Sequence, residues 1–412
     1  MLTLDDCTMP EPTEIKKGKT ISVKVLPASG GDCLLVEVGD LLILLDGGYV
    51  NTYNDYLEKE LKNKTELGID LLIVTHIDKD HISGINKLLS LNRKSQIIPI
   101  RNIWHNAYRH LQDLTLDVSR YVMLSGKSIS DLPRLSYAAE EHSGEKNISA
   151  QQGSTLAAMI LEGKYPWNAA FGGGAVSMDN QKVIRLNDQV CLLLLSPDNE
   201  KLLNLKKYWY KELYKKGYML QAKDSKFYDD AFEFLVALEK PQKKITKKNA
   251  SSGVNIETLA SENFPEDTEE PNGSSVAFIL QHDHFRGLFL GDAHPDIIVK
   301  NVIGHFPKET LPIQFDLIKV AHHGSVFNTS HALLKIIDSE RYIFSTNGSG
   351  YGHPDIETLA RIIIRPAPFK RTLFFNYPVD AALALDVQEL KTKYNYEVVI
   401  SDGQTPIEPY SR

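Results

Sequence analysis

Cysteine is scarce in this chain: three in 412 residues, Cys7, Cys33 and Cys191, odd in number and far apart. That spacing contains no Cys-x-x-Cys zinc knuckle and fits a reducing compartment rather than a disulfide scaffold. Long apolar runs are missing as well. No stretch reaches the roughly 20 residues of a membrane span, and Met1 to Pro12 is acidic, without the apolar core of a signal segment. The expectation is a soluble, cytoplasmic protein that makes no membrane contact. Strong net charge is absent too. A formal charge of −7 argues against a protein that coats nucleic acid by bulk charge, while leaving room for a local basic groove. No internal repeat is visible.

What the chain does have is a dense run of His and Asp, Thr75-His76-Ile77-Asp78-Lys79-Asp80-His81, behind the apolar segment Leu71 to Val74 and ahead of Ile82-Ser83-Gly84. Leu71 to Val74 reads as a buried strand, and the helical spacing of Ile85, Leu88 and Leu89 reads as a helix. The four potential ligands then sit on a strand-to-helix turn, at the carboxyl edge of a sheet where sites of α/β proteins collect. His76 and Asp78 alternate along an extended segment and point the same way. Asp80 and His81 follow the turn and can face a second ion a few ångströms from the first. The bland alternative is a helix start at which Asp78 or Asp80 caps backbone N–H groups and the histidines lie on the surface. It explains any one of the four better than all four together.

Strand-like and helix-like pieces alternate along the chain, as in a layered α/β protein. Residues 21–48 read as strands, 51–64 as an amphipathic helix, 71–91 as the motif strand with its helix, and Ile98 to Trp104 as a further strand ending in His105-Asn106. Between Tyr108 and Asn180 the strand pattern weakens. Ser149 with Gln152 resembles a capping box for a helix through Glu162, and Phe171-Gly172-Gly173-Gly174 reads as a loop. This stretch, about 108–180, reads as an insertion that caps a cleft. Strands resume at Val183 to Leu186 and Val190 to Leu195, closed by Ser196-Pro197-Asp198. A second insertion, about 199–271, opens with a helix from Lys201 to Tyr218. There Lys206, Lys207, Lys211, Lys215 and Lys216 interleave with Tyr208, Trp209, Tyr210 and Tyr214. Such a helix can offer charge to phosphates and rings to the bases of a single strand, or can simply pack its rings inward. The Lys240 to Lys248 run and the acidic stretch Glu262 to Glu270 read as a polar, flexible loop.

The motif His76-x-Asp78-x-Asp80-His81 resembles the His-x-His-x-Asp-His signature of the metallo-β-lactamase superfamily, with Asp78 in place of the second histidine. Ile21 to Val25, Cys33 to Val36, and Leu41 to Leu45 ending in Asp46-Gly47-Gly48 resemble that fold's opening hairpin and Asp-Gly-Gly turn. Phe289-Leu290-Gly291-Asp292-Ala293 is similar to its Gly-Asp turn, whose aspartate bridges the metals. Lys319-Val320-Ala321-His322-His323-Gly324-Ser325 and Tyr351-Gly352-His353-Pro354 resemble the branch that includes the hydrolase domain of ComEC-type DNA-uptake proteins and its soluble relatives. The resemblance implies an α/β fold, a four-layer αββα sandwich over residues 19–412 carrying the two insertions. It also implies two divalent metal ions, Zn or Mn, held by His76, Asp78, Asp80, His81, Asp292, His322 and His353.

His322 and His323 are neighbours. On an extended chain they would point to opposite sides, so one is expected on metal and the other against substrate or a supporting carboxylate. His353 is either the last ligand or a group set against substrate. His294 belongs with the following helix. Zinc-dependent members of the family carry a further histidine soon after the proline matching Pro197. Here Asp198, Asn272 and His105 are the candidates for that place, and none stands out. This gap and Asp78 make the donor set rich in oxygen, which admits Mn²⁺ beside Zn²⁺.

Two ions so held would lower the pKa of a water between them, and the metal-bridged hydroxide would attack phosphorus or carbonyl carbon. Asp80 would orient it. The catalytic set is therefore Asp80, His323 and His353, with one of the unliganded histidines giving the leaving group its proton and Ser325 or Asn347 holding a phosphate oxygen. A phosphodiesterase or nuclease is the favoured activity. The alternatives are hydrolysis of a small ester, lactone or amide, and a non-catalytic metal-binding partner protein. Nucleic acid or another phosphodiester is the expected substrate. The family resemblance also implies a partner protein such as an ATPase in a bacterial anti-phage system.

Overall fold

The structure is a computed structural model and describes residues 21–117, 126–128, 155–219, 225–236, 255–283, 285–403 and 405–408. Two sheets face each other. The first holds β1 (Ile21–Val25), β2 (Leu34–Val38), β3 (Leu41–Leu45), β4 (Leu71–Ile73) and β5 (Ile103–Trp104) in that order. β1 to β3 form an antiparallel meander, and β4 and β5 add on in parallel. The second sheet has eight strands. Its middle strand Phe285–Phe289 pairs antiparallel with Ala277–His282 on one side and parallel with Leu317–Lys319 on the other, with Arg341–Phe344, Arg371–Phe375 and Tyr396–Ile400 following in parallel.

Successive strand residues point to opposite faces, and here both faces are covered. In β3, Leu41, Ile43 and Leu45 enter the core between the sheets with Leu192, Leu194, Phe278 and Phe289. Leu42 and Leu44 enter a second core beneath helices, with Ile85, Leu88 and Leu89 of the helix Lys79–Ser95. That double coverage is why the strand reads LLILL without polar alternation. A third core lies outside the second sheet, where the helices Pro295–His305 and Ile356–Ile363 cover Leu288, Ile318 and Phe344. The architecture is the expected α/β four-layer αββα sandwich. Among the described residues no helix is long and apolar enough to cross a membrane.

The insertions differ from expectation in three places. In the first, the helix Leu156–Glu162 ends where expected but is capped by Thr155, whose Oγ1 accepts from Ala158 N at 3.2 Å. Ser149 and Gln152 lie outside the described residues. Leu156, Met159 and Ile160 of that helix sit in the core outside the first sheet, not over a cleft.

In the second, the basic aromatic helix Asn199–Lys215 turns three of its four rings inward, while Tyr214 is exposed. Tyr208, Trp209 and Tyr210 are buried, Trp209 lies 4.4 Å from the Tyr108 ring, and the Tyr108 and Tyr210 hydroxyls are 3.0 Å apart. Lys206 is buried too, its Nζ donating to the carbonyls of Leu111 and Leu114. Those three rings belong to the protein core and are not available as a platform for bases. The run Lys240 to Lys248 lies outside the described residues.

The third difference is the acidic stretch Glu262 to Glu270, read as flexible. It is tied down: Asp267 N donates to Phe327 O at 3.1 Å and Glu262 O accepts from Arg361 at 2.7 Å.

Candidate metal centre

Every motif of the resemblance arrives at one edge of the sandwich. Asp46 follows β3, His76 to His81 follow β4, Asp292 follows Phe285–Phe289, His322 and His323 follow Leu317–Lys319, and His353 lies on the loop after Arg341–Phe344. Strands with apolar interiors fix their ends rigidly, and the carboxyl edge is where α/β sheets leave a crevice. The Asp-Gly-Gly turn is clamped onto the start of the helix Lys79–Ser95. Gly47 N donates to His81 O and Gly84 N to Gly48 O, both at 2.8 Å. A Cβ on Gly84 would run into the Gly47 carbonyl, so this approach needs glycine.

Four imidazoles converge on one carboxylate oxygen. The Nε2 atoms of His76, His81, His322 and His323 lie 3.8, 3.8, 3.7 and 4.0 Å from Asp292 Oδ2. Asp78 Oδ2 stands 3.5 Å from His76 Nε2, while Asp80 reaches His81 Nε2 at 3.9 Å and His323 Nε2 at 3.6 Å. Asp78 occupies the N-cap position of its helix without making the side-chain cap bond. Its carboxylate turns to His76 instead, which removes the capping alternative.

The outer nitrogens are all engaged. His81 Nδ1 meets Asp46 Oδ2 at 2.8 Å, His323 Nδ1 meets Ser345 O at 2.8 Å, His322 Nδ1 meets Asn328 Oδ1 at 2.9 Å, and His76 Nδ1 meets the hydroxyls of Ser275 and Thr75 at 3.0 and 3.1 Å. A ring whose Nδ1–H is donated outward keeps a lone pair on Nε2. Three of those Nε2 atoms, on His76, His81 and His323, are buried with no hydrogen-bond partner, as is Asp292 Oδ1. Each such orphan costs about 1–3 kcal/mol, and a cation accepting the lone pairs would remove that cost. The donor set fits a metal.

His322 and His323 correct the sequence reading. Both adopt left-handed backbone, with φ of 46° and 55°, so the chain is not extended and both rings face Asp292. Gly324, at φ +92°, continues the turn, and a Cβ there would strike Pro354. His353 does not join the ring around Asp292. It stands behind His322, 5.2 Å between ring centroids, with its Nδ1 3.4 Å from Asp355. Of the candidates for the absent histidine, Asp198 caps the helix Asn199–Lys215 and His105 is buried between Trp167 and Glu233. Asn272 lies behind His322, 3.5 Å from its Nδ1. His294 occupies the N-cap position of the helix Pro295–His305 without a side-chain cap bond and contacts Lys201. Ser325 is fully buried, its Oγ accepting from Phe327 N, and is not available to a phosphate. Asn347 is exposed and, with Gly348, His353 and Val379, lines a cavity of about 110 Å³.

Charge in the cluster is tightly coupled. Burial pushes the His323 pKa down, but Asp32 and Asp292 outweigh it and raise it to about 10. For His81 burial is likewise overcome, by Asp46, Asp80 and Asp292, and for His76, where His81 adds to the lowering, by Asp78 and Asp292. Both end above the ordinary histidine value. Asp292 has the opposite balance: burial raises it, and the four histidines hold it well below the usual carboxylate range. His353 is lowered, mainly by burial against the pull of Asp355, and is neutral.

The metal-free fold therefore keeps protons on His76, His81 and His323 above pH 6.5. Their stabilising contribution is complete below about pH 6.5 and fades as pH rises through the raised values. A cation has to displace those protons. Calorimetric titration with Mn²⁺ or Zn²⁺ at pH 7, in buffers of different ionisation enthalpy, is expected to show net proton release. The rise in melting temperature on metal addition is expected to grow from pH 6 to pH 8. A pH-independent shift without proton release would contradict this account of the site.

Residues 26–142 match the model of the metallo-β-lactamase superfamily. Among solved structures the chain is similar to the metallo-β-lactamase fold protein YhfI from Bacillus subtilis, at 11% identity and a TM-score of 0.39, with 94% of this chain and 99% of that chain covered. Among curated proteins none matches.

Proposed function

We propose that this chain is a metal-dependent hydrolase of phosphodiesters, working with two divalent cations, Zn²⁺ or Mn²⁺. The observation that carries the proposal is the convergence of four histidine Nε2 atoms on Asp292 Oδ2, each ring braced from outside through Nδ1. His76, Asp78, His322 and Asp292 would hold one ion. Asp80, His81, His323 and the same Asp292 would hold the other. On this reading His322 fills the coordination place for which the sequence offers no histidine after Pro197. Cations bound there would supply a water of lowered pKa and positive charge against the developing oxyanion.

The chain's own groups do the rest. Asp80 is partly exposed, with 18% of its side chain open, and its carboxylate faces the centre. It orients the attacking water by accepting a hydrogen bond from it. With both His322 and His323 turned to Asp292, His353 is the histidine left for substrate. Being neutral, it serves as an N–H donor to a phosphoryl or leaving-group oxygen. Three carboxylates in the donor set would suit hard cations with affinity for phosphoryl oxygens, and two such ions would supply positive charge for a displacement at phosphorus. These points support a phosphodiester over a carboxylic ester.

The test is turnover of bis(p-nitrophenyl) phosphate and of single- and double-stranded DNA and RNA, with Mn²⁺ or Zn²⁺. Hydrolysis abolished by chelator and recovered on adding metal back is the expected outcome. Turnover of a lactone or thioester panel, with every phosphodiester left intact, would overturn the phosphodiester reading.

A further inference from the structure

The acidic stretch that reads from composition as a flexible loop ends inside the metal centre's outer tier. The Asp267 side chain is only 7% exposed. Its Oδ2 accepts from Asn272 Nδ2 at 2.8 Å and from Asn328 Nδ2 at 3.0 Å, and lies 3.7 Å from His322 Nδ1. Its Oδ1 accepts from Glu269 N at 2.9 Å. Asn328 is buried and completely engaged. Its Oδ1 faces His322 Nδ1 at 2.9 Å, and its Nδ2 is shared between Asp267 Oδ2 and the Asp292 carbonyl at 3.1 Å.

An amide can be turned over without changing its shape, so Asn328 by itself could present either oxygen or nitrogen to His322. Three acceptors, the Asp267 carboxylate and the carbonyls of Asp292 and Ala293, claim the NH₂ end. The oxygen is left for the ring, and the ring must then carry its proton on Nδ1. That puts the lone pair on Nε2, facing Asp292.

We propose that Asp267, acting through Asn328, is a positioning residue that fixes the tautomer of His322 and so completes the ion position shared by His76, Asp78 and Asp292. This rests on the two-ion reading above. It follows that part of the second insertion is a working component of the centre. The other ion position does not depend on it, because His323 is braced by Ser345 O and His81 by Asp46.

Asp267→Asn keeps the size and removes the charge. An NH₂ group would then have to face the NH₂ groups of Asn272 and Asn328 or turn away from them, and the preference that orients Asn328 is weakened. Partners of metal-bound histidines typically contribute about 10–100-fold to metal affinity.

The experiment uses the full chain, stripped with chelator and titrated calorimetrically with Mn²⁺ and, for its visible bands, with Co²⁺. Asp267→Asn and Asn328→Leu are each expected to weaken one of two ions by about 10–100-fold and leave the other within about threefold, with the Co²⁺ spectrum losing intensity from one site. Melting of the metal-free variants reports whether the fold itself has suffered. Unchanged affinity for both ions in the single variants, or equal weakening of both, would overturn the proposal. If the wild-type chain binds two ions but cleaves no phosphodiester, the proposed function fails and this inference stands. If it binds fewer than two, both fall.

Discussion

Asp292→Ala is expected to lower phosphodiester turnover by on the order of 10²–10⁴-fold, the range for removing a group that holds charge or a proton at the reacting atoms. It is also expected to lower the number of retained ions. No other carboxylate of the cluster is within 4.0 Å of four imidazole nitrogens among the described residues. Both proposed ion positions would draw on it, so losing it should reach both. Asp78→Ala, by contrast, touches only the position beside His76. The comparison between the two is the informative measurement: metal content by elemental analysis, with turnover measured at saturating metal. An Asp292→Ala protein that retains two ions and stays within threefold of wild-type activity would remove Asp292 from the centre of the mechanism. Folding is not expected to suffer in the metal-free state to the same degree. With the carboxylate gone, the raised pKa values of His76, His81 and His323 lose one of their causes, while Asp78, Asp46, Asp80 and Asp32 remain.

The sequence makes the centre legible where its ligands are local. His76, Asp78, Asp80 and His81 fall within six residues, and the preceding apolar run fixes which way they face, so strand, turn and helix can all be inferred from spacing. It misleads where the outcome depends on backbone sign or on distant contacts. The opposite-facing geometry expected for His322 and His323 assumes extended backbone, whereas two non-glycine residues at positive φ, followed by Gly324, bring both rings to the same side. Nothing in the local pattern announces that. Asp267 was hidden for a different reason. Composition measures how a segment behaves without partners, and Phe327, Asn328 and Arg361, which hold this one, lie some 60 to 100 positions further along the chain. The aromatic helix is ambiguous for a related reason: lysines and rings alternate in the same way whether the rings meet bases or Tyr108 and Phe232.

Lys319→Met is expected to destabilise the metal-loaded protein by about 3–5 kcal/mol, the usual cost of stranding a buried charge. Lys319 is 2% exposed, and its ammonium donates to the carboxylate of Asp32, itself 2% exposed, and to Val320 O at 3.2 Å. Asp32 has one further partner, His323 Nδ1 at 3.4 Å. That partner changes with metal. In the metal-free protein His323 is protonated, so it can stand in as a cation for Asp32 when Lys319 is gone, and the deficit should be smaller. With His323 on a metal as proposed, its ring would be neutral and Asp32 would be left alone.

The pH dependence follows from the same balance. In the wild type, burial raises the Asp32 pKa but Lys319, then His323 and His81, pull it far below 3.8. Its contribution to stability is present above that value and lost as pH falls through the depressed one. Without Lys319 burial dominates, the folded pKa rises above 3.8, and the variant is relieved by protonation. Its deficit should therefore be greatest near neutral pH and shrink toward pH 4, as read from denaturation midpoints. The double variant Lys319→Met/Asp32→Leu removes both charges and is expected to recover most of the stability, since well-packed apolar groups often replace a buried pair without loss. It should also keep its metal, because Ser345 O still takes the His323 Nδ1–H at 2.8 Å. Recovery of stability together with loss of one ion would show instead that Asp32 braces His323.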